Sequence, residues 1–280
     1  MHIDEARFRR SIAVDEPESS RVISIQSRGS RPPIYLVHDL LGHIDCYRDL
    51  ASALGSDQPV YALRSFSSDL QDLQSIEKLA TSYLVDLRAF DPTGPYILGG
   101  FSFGGAVAFE MARQLEDMGE KTLLVVLIDT WIPVDSKLRL REQLSILWNK
   151  MKERDVSYLT TKIVYRAHRT GNLFLSLVGR ICHGLCLKHP SRVRLALLEK
   201  ANRRVLWAYQ PRVYRGSVLL AACSRKLEIL SKRSNPFSGW DILVGHQFEI
   251  CAINAEHLSI MKEPSICEVA QLIREKTQSN

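Results

Sequence analysis

The sequence predicts an α/β fold with a mostly parallel, doubly wound sheet, and two observations support this. Short apolar runs, which are typical of buried strands, cover residues 34–37, 59–63, 95–98 and 122–128. Segments of helical periodicity separate these runs, and their lengths suit crossover helices. Strands that alternate with such helices form parallel sheets with helices on both faces.

The domain organisation follows from where this alternation starts and breaks. We expect residues 1–32 to form a polar leader and residues 33–280 to form one α/β domain, because 280 residues suffice for such a domain with an insertion. Residues 133–210 have a helical, basic pattern without buried strand runs, so we predict an inserted set of helices there. The remaining expected elements are a short strand in the leader at 22–25, strands at 217–222 and 247–253, and a final helix at 264–276.

The charge is unevenly distributed along the chain. The net charge is +6, yet residues 134–216 alone contain 18 Lys and Arg against 5 Asp and Glu. Such a block favours an acidic partner, although a solvated helical surface explains it equally well. The block lacks the interleaved aromatic residues of a nucleic-acid module, so we expect no nucleic-acid partner.

The chain carries no sequence signal for a membrane or for secretion. No apolar run approaches the roughly 20 residues that span a bilayer. The first twenty residues mix Asp, Glu and Arg without an apolar core. Most of the six cysteines lie in apolar runs, which is typical of reduced, buried thiols. We therefore expect a cytoplasmic location and no membrane association.

The most informative motif lies where the third strand of the main series ends. Residues 100–104 read Gly-Phe-Ser-Phe-Gly, directly after an apolar strand and before a helix predicted at 106–115. This is the nucleophile-elbow pattern, in which a tight turn holds the serine at positive φ and exposes its hydroxyl. Gly100 and Gly104 suit a turn without room for side chains. The pattern predicts Ser102 as a nucleophile.

A serine nucleophile needs a base, and the base needs an acid that orients it. His257 follows the last strand by a short loop, where such a base would lie. Asp129 ends the strand after the elbow helix and is our first choice for the acid, while Glu228 and Asp241 remain alternatives. A purely structural role for Asp129, as a turn or helix cap, is also possible.

The negative charge on the reacting carbonyl oxygen requires two backbone donors. One is expected to be the N–H of Phe103, the residue after the nucleophile. The other should come from the loop after the first strand, from Leu40 or Leu41.

With these motifs placed, the chain resembles the α/β-hydrolase thioesterases that end nonribosomal peptide and polyketide assembly lines. The resemblance covers residues 33–273. The motifs that carry it are Tyr-Leu-Val-His at 35–38, Cys-Tyr-Arg-Asp-Leu at 46–50, Gly-Phe-Ser-Phe-Gly-Gly at 100–105, Leu-Ile-Asp at 127–129, Gly-Trp at 239–240, and His257 with Met261 and Pro264.

The resemblance implies a Ser102–His257–Asp129 triad and a helical lid over an acyl channel. It implies that the substrate is an acyl chain on the phosphopantetheine thiol of a carrier protein, and that the enzyme needs no cofactor of its own. Carrier proteins of this kind are acidic and would suit the basic lid. The loop at 38–42 departs from the family pattern His-Pro-x-Gly-Gly, because Asp39 and Leu41 replace proline and glycine. A carboxylate so near the oxyanion would be unfavourable unless it points away.

Three other functions fit parts of this pattern. A carboxylesterase or lipase on the same fold would act on oxygen esters without a carrier. An editing thioesterase would clear stalled carriers, but it usually has its acid after the later strand. A catalytically silent carrier-docking module would not use the triad at all.

Overall fold

The computed structural model describes residues 20–66, 74–132, 191–224, 227, 240–244 and 247–278. In these residues seven strands form one sheet, in the order β1-β3-β2-β4-β5-β6-β7. The strands are β1 (Val22–Gln26), β2 (Ile34–Val37), β3 (Val60–Leu63), β4 (Tyr96–Phe101), β5 (Thr122–Ile128), β6 (Val218–Cys223) and β7 (Phe248–Ile253). Only β1 is antiparallel to its neighbour, so the sheet is mostly parallel, as the sequence predicts.

Helices cover both faces of this sheet. They are α1 (Tyr47–Leu54), α2 (Ile76–Phe90), α3 (Phe103–Asp117), α4 (Ser191–Ala208), α5 (Trp240–Leu243) and α6 (Ser265–Gln278). Apolar side chains of α2 and α3 pack with one set of strand residues, and those of α1 and α6 pack with the alternate set. Successive strand residues point to opposite faces. Each continuous apolar run therefore contributes side chains to both hydrophobic cores, one on each face of the sheet. The prediction of a doubly wound α/β fold is confirmed.

The elbow helix begins earlier than its residue propensities indicate. The sequence predicts a start at residue 106, whereas α3 begins at Phe103, directly after Ser102. Glycines at 104 and 105 disfavour a helix start in an isolated chain. Here the packing of α3 against the sheet stabilises the first turn.

The short strand expected in the leader at 22–25 is present as β1. Strand β1 lies inside the segment assigned to the polar leader and pairs antiparallel with β3, from Val22 opposite Leu63 onward. This strand joins the leader to the sheet of the domain. The buried Arg21, which bonds Asp86 of α2 over 2.6 Å, ties this edge to the body of the domain.

The predicted helical insertion at 133–210 falls largely outside the described residues. Its end, from 191 onward, is helical as expected: α4 buries Leu198 and Val205. The insertion and its role as a lid remain predictions. None of the helices in the described ranges is long and apolar enough to cross a bilayer.

Candidate active site

Ser102 lies at the sharp turn between β4 and α3. Its φ of 55° and ψ of −112° fall in a region that residues with a side chain rarely occupy. The turn is held on the sheet because the Ser102 N–H donates to the Ile128 carbonyl of β5 over 2.9 Å. Backbone strain of this kind persists only where the surrounding structure enforces it. The strand-to-helix junction therefore presents Ser102 in the conformation of a nucleophile elbow.

The glycines around Ser102 leave no space for a side chain. A Cβ atom on Gly100 would lie 2.3 Å from the Gly104 carbonyl carbon, and one on Gly104 would lie 2.2 Å from the Val37 oxygen. A Cβ atom on Gly105 would likewise lie 2.0 Å from the Thr130 hydroxyl oxygen. The elbow thus depends on close contact between the backbones of β4, α3 and the end of β2.

Asp129 and His257 form a hydrogen bond at the carboxyl edge of the sheet. His257 Nδ1 contacts Asp129 Oδ2 at short range, although 128 residues separate the two along the chain. Asp129 is fully buried, whereas the His257 side chain is 37% exposed. This is the acid–base contact that a catalytic pair requires, and it leaves the Nε2 edge of the imidazole available to a serine hydroxyl.

Two further donors hold the Asp129 carboxylate. Its Oδ1 accepts the Trp131 indole N–H at 2.9 Å and the Cys223 backbone N–H, at the end of β6, at 3.2 Å. Asp129 itself has a φ of 43°, which residues other than glycine rarely adopt. A buried carboxylate is costly unless it is hydrogen-bonded, so these contacts explain how Asp129 is tolerated at full burial.

Phe101 connects the base to the elbow. Its ring, adjacent to Ser102 in sequence, stacks on the His257 imidazole with centroids 4.7 Å apart and planes 30° apart. The elbow turn and the imidazole therefore lie side by side, with Asp129 behind the imidazole. The structure thus brings Asp129 and His257 into direct contact and places Ser102 next to them through Phe101 and Ile128.

The loop after β2 shows where the unexpected Asp39 points. Asp39 Oδ1 accepts the backbone N–H groups of Leu41 and His43, each at 2.9 Å, so the carboxylate is bound to its own loop. The N–H of Leu41 is thereby occupied. Among the described residues the N–H of Leu40 has no such partner, and Phe103 opens α3 without a side-chain cap. Phe103, directly after Ser102, and Leu40, in the loop after β2, therefore each offer a backbone donor.

Tyr47 separates β2 from β4 where the elbow begins. Its buried hydroxyl donates to the Val37 carbonyl and accepts the Phe101 N–H at 2.9 Å. The ladder between these strands ends at the Val37–Gly100 pair, so the phenol takes the place of the next backbone bond. This point is the switch in strand order, where open α/β sheets bind their ligands.

The alternative acids are not brought to this site by any described contact. Glu228 and the side chain of Asp241 lie outside the described residues. The end of β6 reaches Asp129 through the Cys223 N–H. In the described ranges no cluster of His, Cys, Asp or Glu side chains could hold a metal ion.

Three residues that shape the site were not singled out from the sequence for these roles. They are Trp131, Tyr47 and Asn202, whose amide donates to the Leu40 carbonyl at 2.9 Å. Trp131 lies two residues after Asp129, and this spacing could have suggested a local hydrogen bond. Tyr47 and Asn202 act across 54 and 162 residues, and no sequence pattern reports such contacts.

Comparison with known proteins finds similarity to thioesterase domains and to peptide and polyketide synthetases. A family model described as "Thioesterase domain" matches residues 32–152, which include the elbow and Asp129. Malpinin synthetase of Mortierella alpina is 35% identical over 179 residues, which cover 60% of this chain and 2% of the synthetase. The non-reducing polyketide synthase ntnG of a Nectria species is 30% identical over 262 residues, which cover 89% of this chain and 12% of the synthase. This chain therefore spans a small part of the length of these relatives.

A solved structure of the NocB thioesterase domain from the nocardicin cluster has the same fold. It superposes with a TM-score of 0.62 at 21% identity, covering 92% of this chain and 99% of that domain. Identity at this level supports the fold and does not by itself assign an activity.

Proposed function

We propose that this chain, of which residues 32–152 match the thioesterase-domain family model, releases an acyl chain from a thioester through a covalent intermediate on Ser102. The hydrogen bond between His257 and Asp129, next to a strained serine turn, is the observation that carries this proposal. A serine hydroxyl is a weak nucleophile, and an oriented imidazole is the group that activates it at neutral pH.

In the first half-reaction Ser102 Oγ attacks the thioester carbonyl while His257 Nε2 takes its proton. Asp129 holds the imidazole through Nδ1 and stabilises the imidazolium that forms. The carbonyl oxygen becomes an oxyanion, which the N–H groups of Phe103 and Leu40 stabilise. The C–S bond then breaks, His257 returns the proton to the departing thiol, and the acyl group remains on Ser102 as an ester.

In the second half-reaction a second nucleophile attacks this ester. If it is water, His257 takes a proton from the water and the product is a free acid. If it is a hydroxyl or amine of the acyl chain itself, the same steps yield a ring. Both routes regenerate Ser102 and use Asp129 and the oxyanion donors in the same way. The proposed steps call on no cofactor, because the phosphopantetheine belongs to the substrate.

We further propose that the acyl group arrives on the phosphopantetheine thiol of an acidic carrier protein in the cytoplasm. The basic block at 134–216 supports this, and its described part includes exposed Lys200 and Arg204 on α4. Some of the charge is paired locally, since Arg203 bonds Glu199 at 2.7 Å and Arg212 bonds Asp117 at 3.0 Å.

Turnover of matched acyl thioesters and oxygen esters of increasing chain length tests this function. We expect thioester hydrolysis or cyclisation that exceeds ester turnover and that disappears in Ser102→Ala. Turnover confined to oxygen esters would instead indicate a carboxylesterase. Absence of any turnover, with no labelling of Ser102 by a fluorophosphonate, would contradict catalysis.

A further inference from the structure

Helix α4, which has no role in the proposed mechanism, contacts the loop after β2. We call this loop, residues 38–42, the oxyanion loop. Asn202 of α4 donates its side-chain amide to the Leu40 carbonyl over 2.9 Å. The acceptor is a carbonyl, so the amide nitrogen rather than its oxygen must face it. Asn202 is 1% exposed, which makes this a buried contact rather than a surface one.

This hydrogen bond completes the fixation of the peptide between Leu40 and Leu41. Asn202 holds its carbonyl end, and Asp39 Oδ1 holds its N–H end at 2.9 Å. A planar peptide gripped at both ends cannot rotate. The backbone of Leu40 therefore has one fixed plane on its carboxyl side.

The preceding peptide, between Asp39 and Leu40, is held at its carbonyl. The Asp39 oxygen accepts the Gly42 N–H at 3.0 Å and lies 2.7 Å from His38 Nδ1. Hydrogen bonds to a carbonyl polarise the N–H of the same amide, and here that N–H belongs to Leu40. Of the polar atoms of these two peptides, the Leu40 N–H is the one without a partner among the described residues.

From this arrangement we infer that Asn202 is a positioning residue that aims the Leu40 N–H at the developing oxyanion. The inference rests on the proposed function, because it concerns the same reaction. Helix α4 also packs Leu198 against the loop, where a Cβ on Gly42 would lie 2.8 Å from the leucine side chain. The end of the predicted insertion thus contacts the loop after β2.

The test compares Asn202→Leu and Asn202→Ser with the wild type and with Glu199→Gln. Glu199→Gln lies on the same helix and disturbs only the ion pair with Arg203. For each protein we would measure kcat and KM on a short acyl thioester, the inhibition constant of a trifluoromethyl ketone, and the melting temperature. The ketone forms a tetrahedral adduct on serine and reports on the oxyanion site directly.

We expect both Asn202 variants to lose about tenfold in kcat, less than the roughly 10²–10³ that removal of a donor itself costs. KM should change little, and the ketone should bind more weakly by the same factor as kcat falls. Glu199→Gln should match the wild type in all three quantities. Asp39→Ala, which releases the other end of the peptide, should repeat the Asn202 effect, whereas Asp39→Asn keeps an acceptor oxygen and should lose less activity than Asp39→Ala.

Two results would overturn the inference while leaving the proposed function intact. One is unchanged kcat and ketone affinity in folded Asn202 and Asp39 variants of an active enzyme. The other is a fall in kcat without any loss of ketone affinity. A wild type without Ser102-dependent turnover would overturn the proposed function, and the inference with it. If the Asn202 variants do not fold, the comparison of Asp39→Ala with Asp39→Asn decides the question.

Discussion

The indole N–H of Trp131 donates to Oδ1 of Asp129, while the other oxygen of the same carboxylate contacts His257. The side chain that orients the base is therefore itself oriented by a residue two positions further along. With the Cys223 N–H as a third donor, the carboxylate has one preferred rotation.

Replacement of Trp131 by Phe should weaken catalysis without unfolding the protein. A hydrogen bond to a charged group contributes about 1.5–3 kcal/mol, so we expect kcat to fall by about tenfold as the carboxylate turns more freely. Steady-state kinetics together with circular dichroism would measure this. Trp207→Phe, which alters a partly exposed indole on α4, is the matched control and should leave kcat unchanged. Equal kinetics for both variants would show that the Trp131 bond is unimportant.

The choice of Asp129 over Glu228 as the acid can be tested by two conservative substitutions. Asp129→Asn keeps the shape but removes the charge that stabilises the imidazolium, and the expected loss in kcat is about 10⁴-fold. Glu228→Gln should have little effect. Thioester turnover of both variants is the measurement, and greater damage from Glu228→Gln would show that the acid assignment is wrong.

Tyr47 is expected to be important for both stability and activity. Tyr47→Phe leaves the Val37 carbonyl and the Phe101 N–H without their shared partner in a buried environment. An unsatisfied buried polar group costs about 1–3 kcal/mol, and the elbow and oxyanion loop should lose their spacing. We expect lower stability in urea unfolding and a kcat that falls further than stability alone explains. A fully active, equally stable variant would contradict this role.

Gly104 and Gly119 separate the effect of space from that of backbone conformation. In Gly104→Ala the new Cβ would collide with backbone oxygens at 2.2 and 2.5 Å, so we expect a loss of at least about 3 kcal/mol, the upper end for overpacking. Gly119 has open space but a φ of 78°, so Gly119→Ala should cost only about 1 kcal/mol. Urea unfolding compares the two, and equal losses would contradict the steric explanation of the elbow.

The stability of the domain should fall in alkaline solution in a way that depends on Tyr209. Burial, together with the nearby Glu110 carboxylate, raises the pKa of Tyr209 well above its usual value of 10.0. Above pH 10 the tyrosine ionises in the unfolded chain but stays protonated in the fold. The unfolded state then binds fewer protons, so the free energy of unfolding decreases as pH rises.

Tyr209→Phe removes this one ionisable proton from both the folded and the unfolded state. The slope of the free energy of unfolding between pH 10 and 11 should become shallower by about 1 kcal/mol per pH unit, because the unfolded tyrosine is only partly ionised near its usual pKa of 10.0. Other buried tyrosines with a raised pKa, such as Tyr35 and Tyr47, are present in both proteins and cancel in the comparison. Identical slopes would show that Tyr209 ionises equally in both states.

Much of this fold can be predicted from the sequence because both faces of the sheet are covered. Strands buried on two sides read as continuous apolar runs, and β5 matches its predicted bounds of 122–128. Edge strand β1 was harder to recognise, since only Val22 of its five residues is fully buried. The start of α3 could not be located from propensity, because tertiary contacts override the glycines there.

The residues of the site also differ in how far the sequence predicts their roles. Ser102, His257 and Asp129 were selected because their chemistry and their places after strands are visible in the sequence. Tyr47 and Asn202 are ordinary residues in helices, and their roles arise from hydrogen bonds to distant backbone atoms. Asp39 looked unfavourable in the sequence, but the structure turns its carboxylate onto the N–H groups of its own loop.

The central claim is that Ser102 carries the acyl group during turnover. Intact-protein mass spectrometry after brief reaction with an acyl thioester tests it most directly. We predict that the wild type gains the mass of one acyl group, located on the peptide that contains Ser102, and that Ser102→Ala gains none. An acyl group on another residue, or undiminished thioester turnover by Ser102→Ala, would contradict the account.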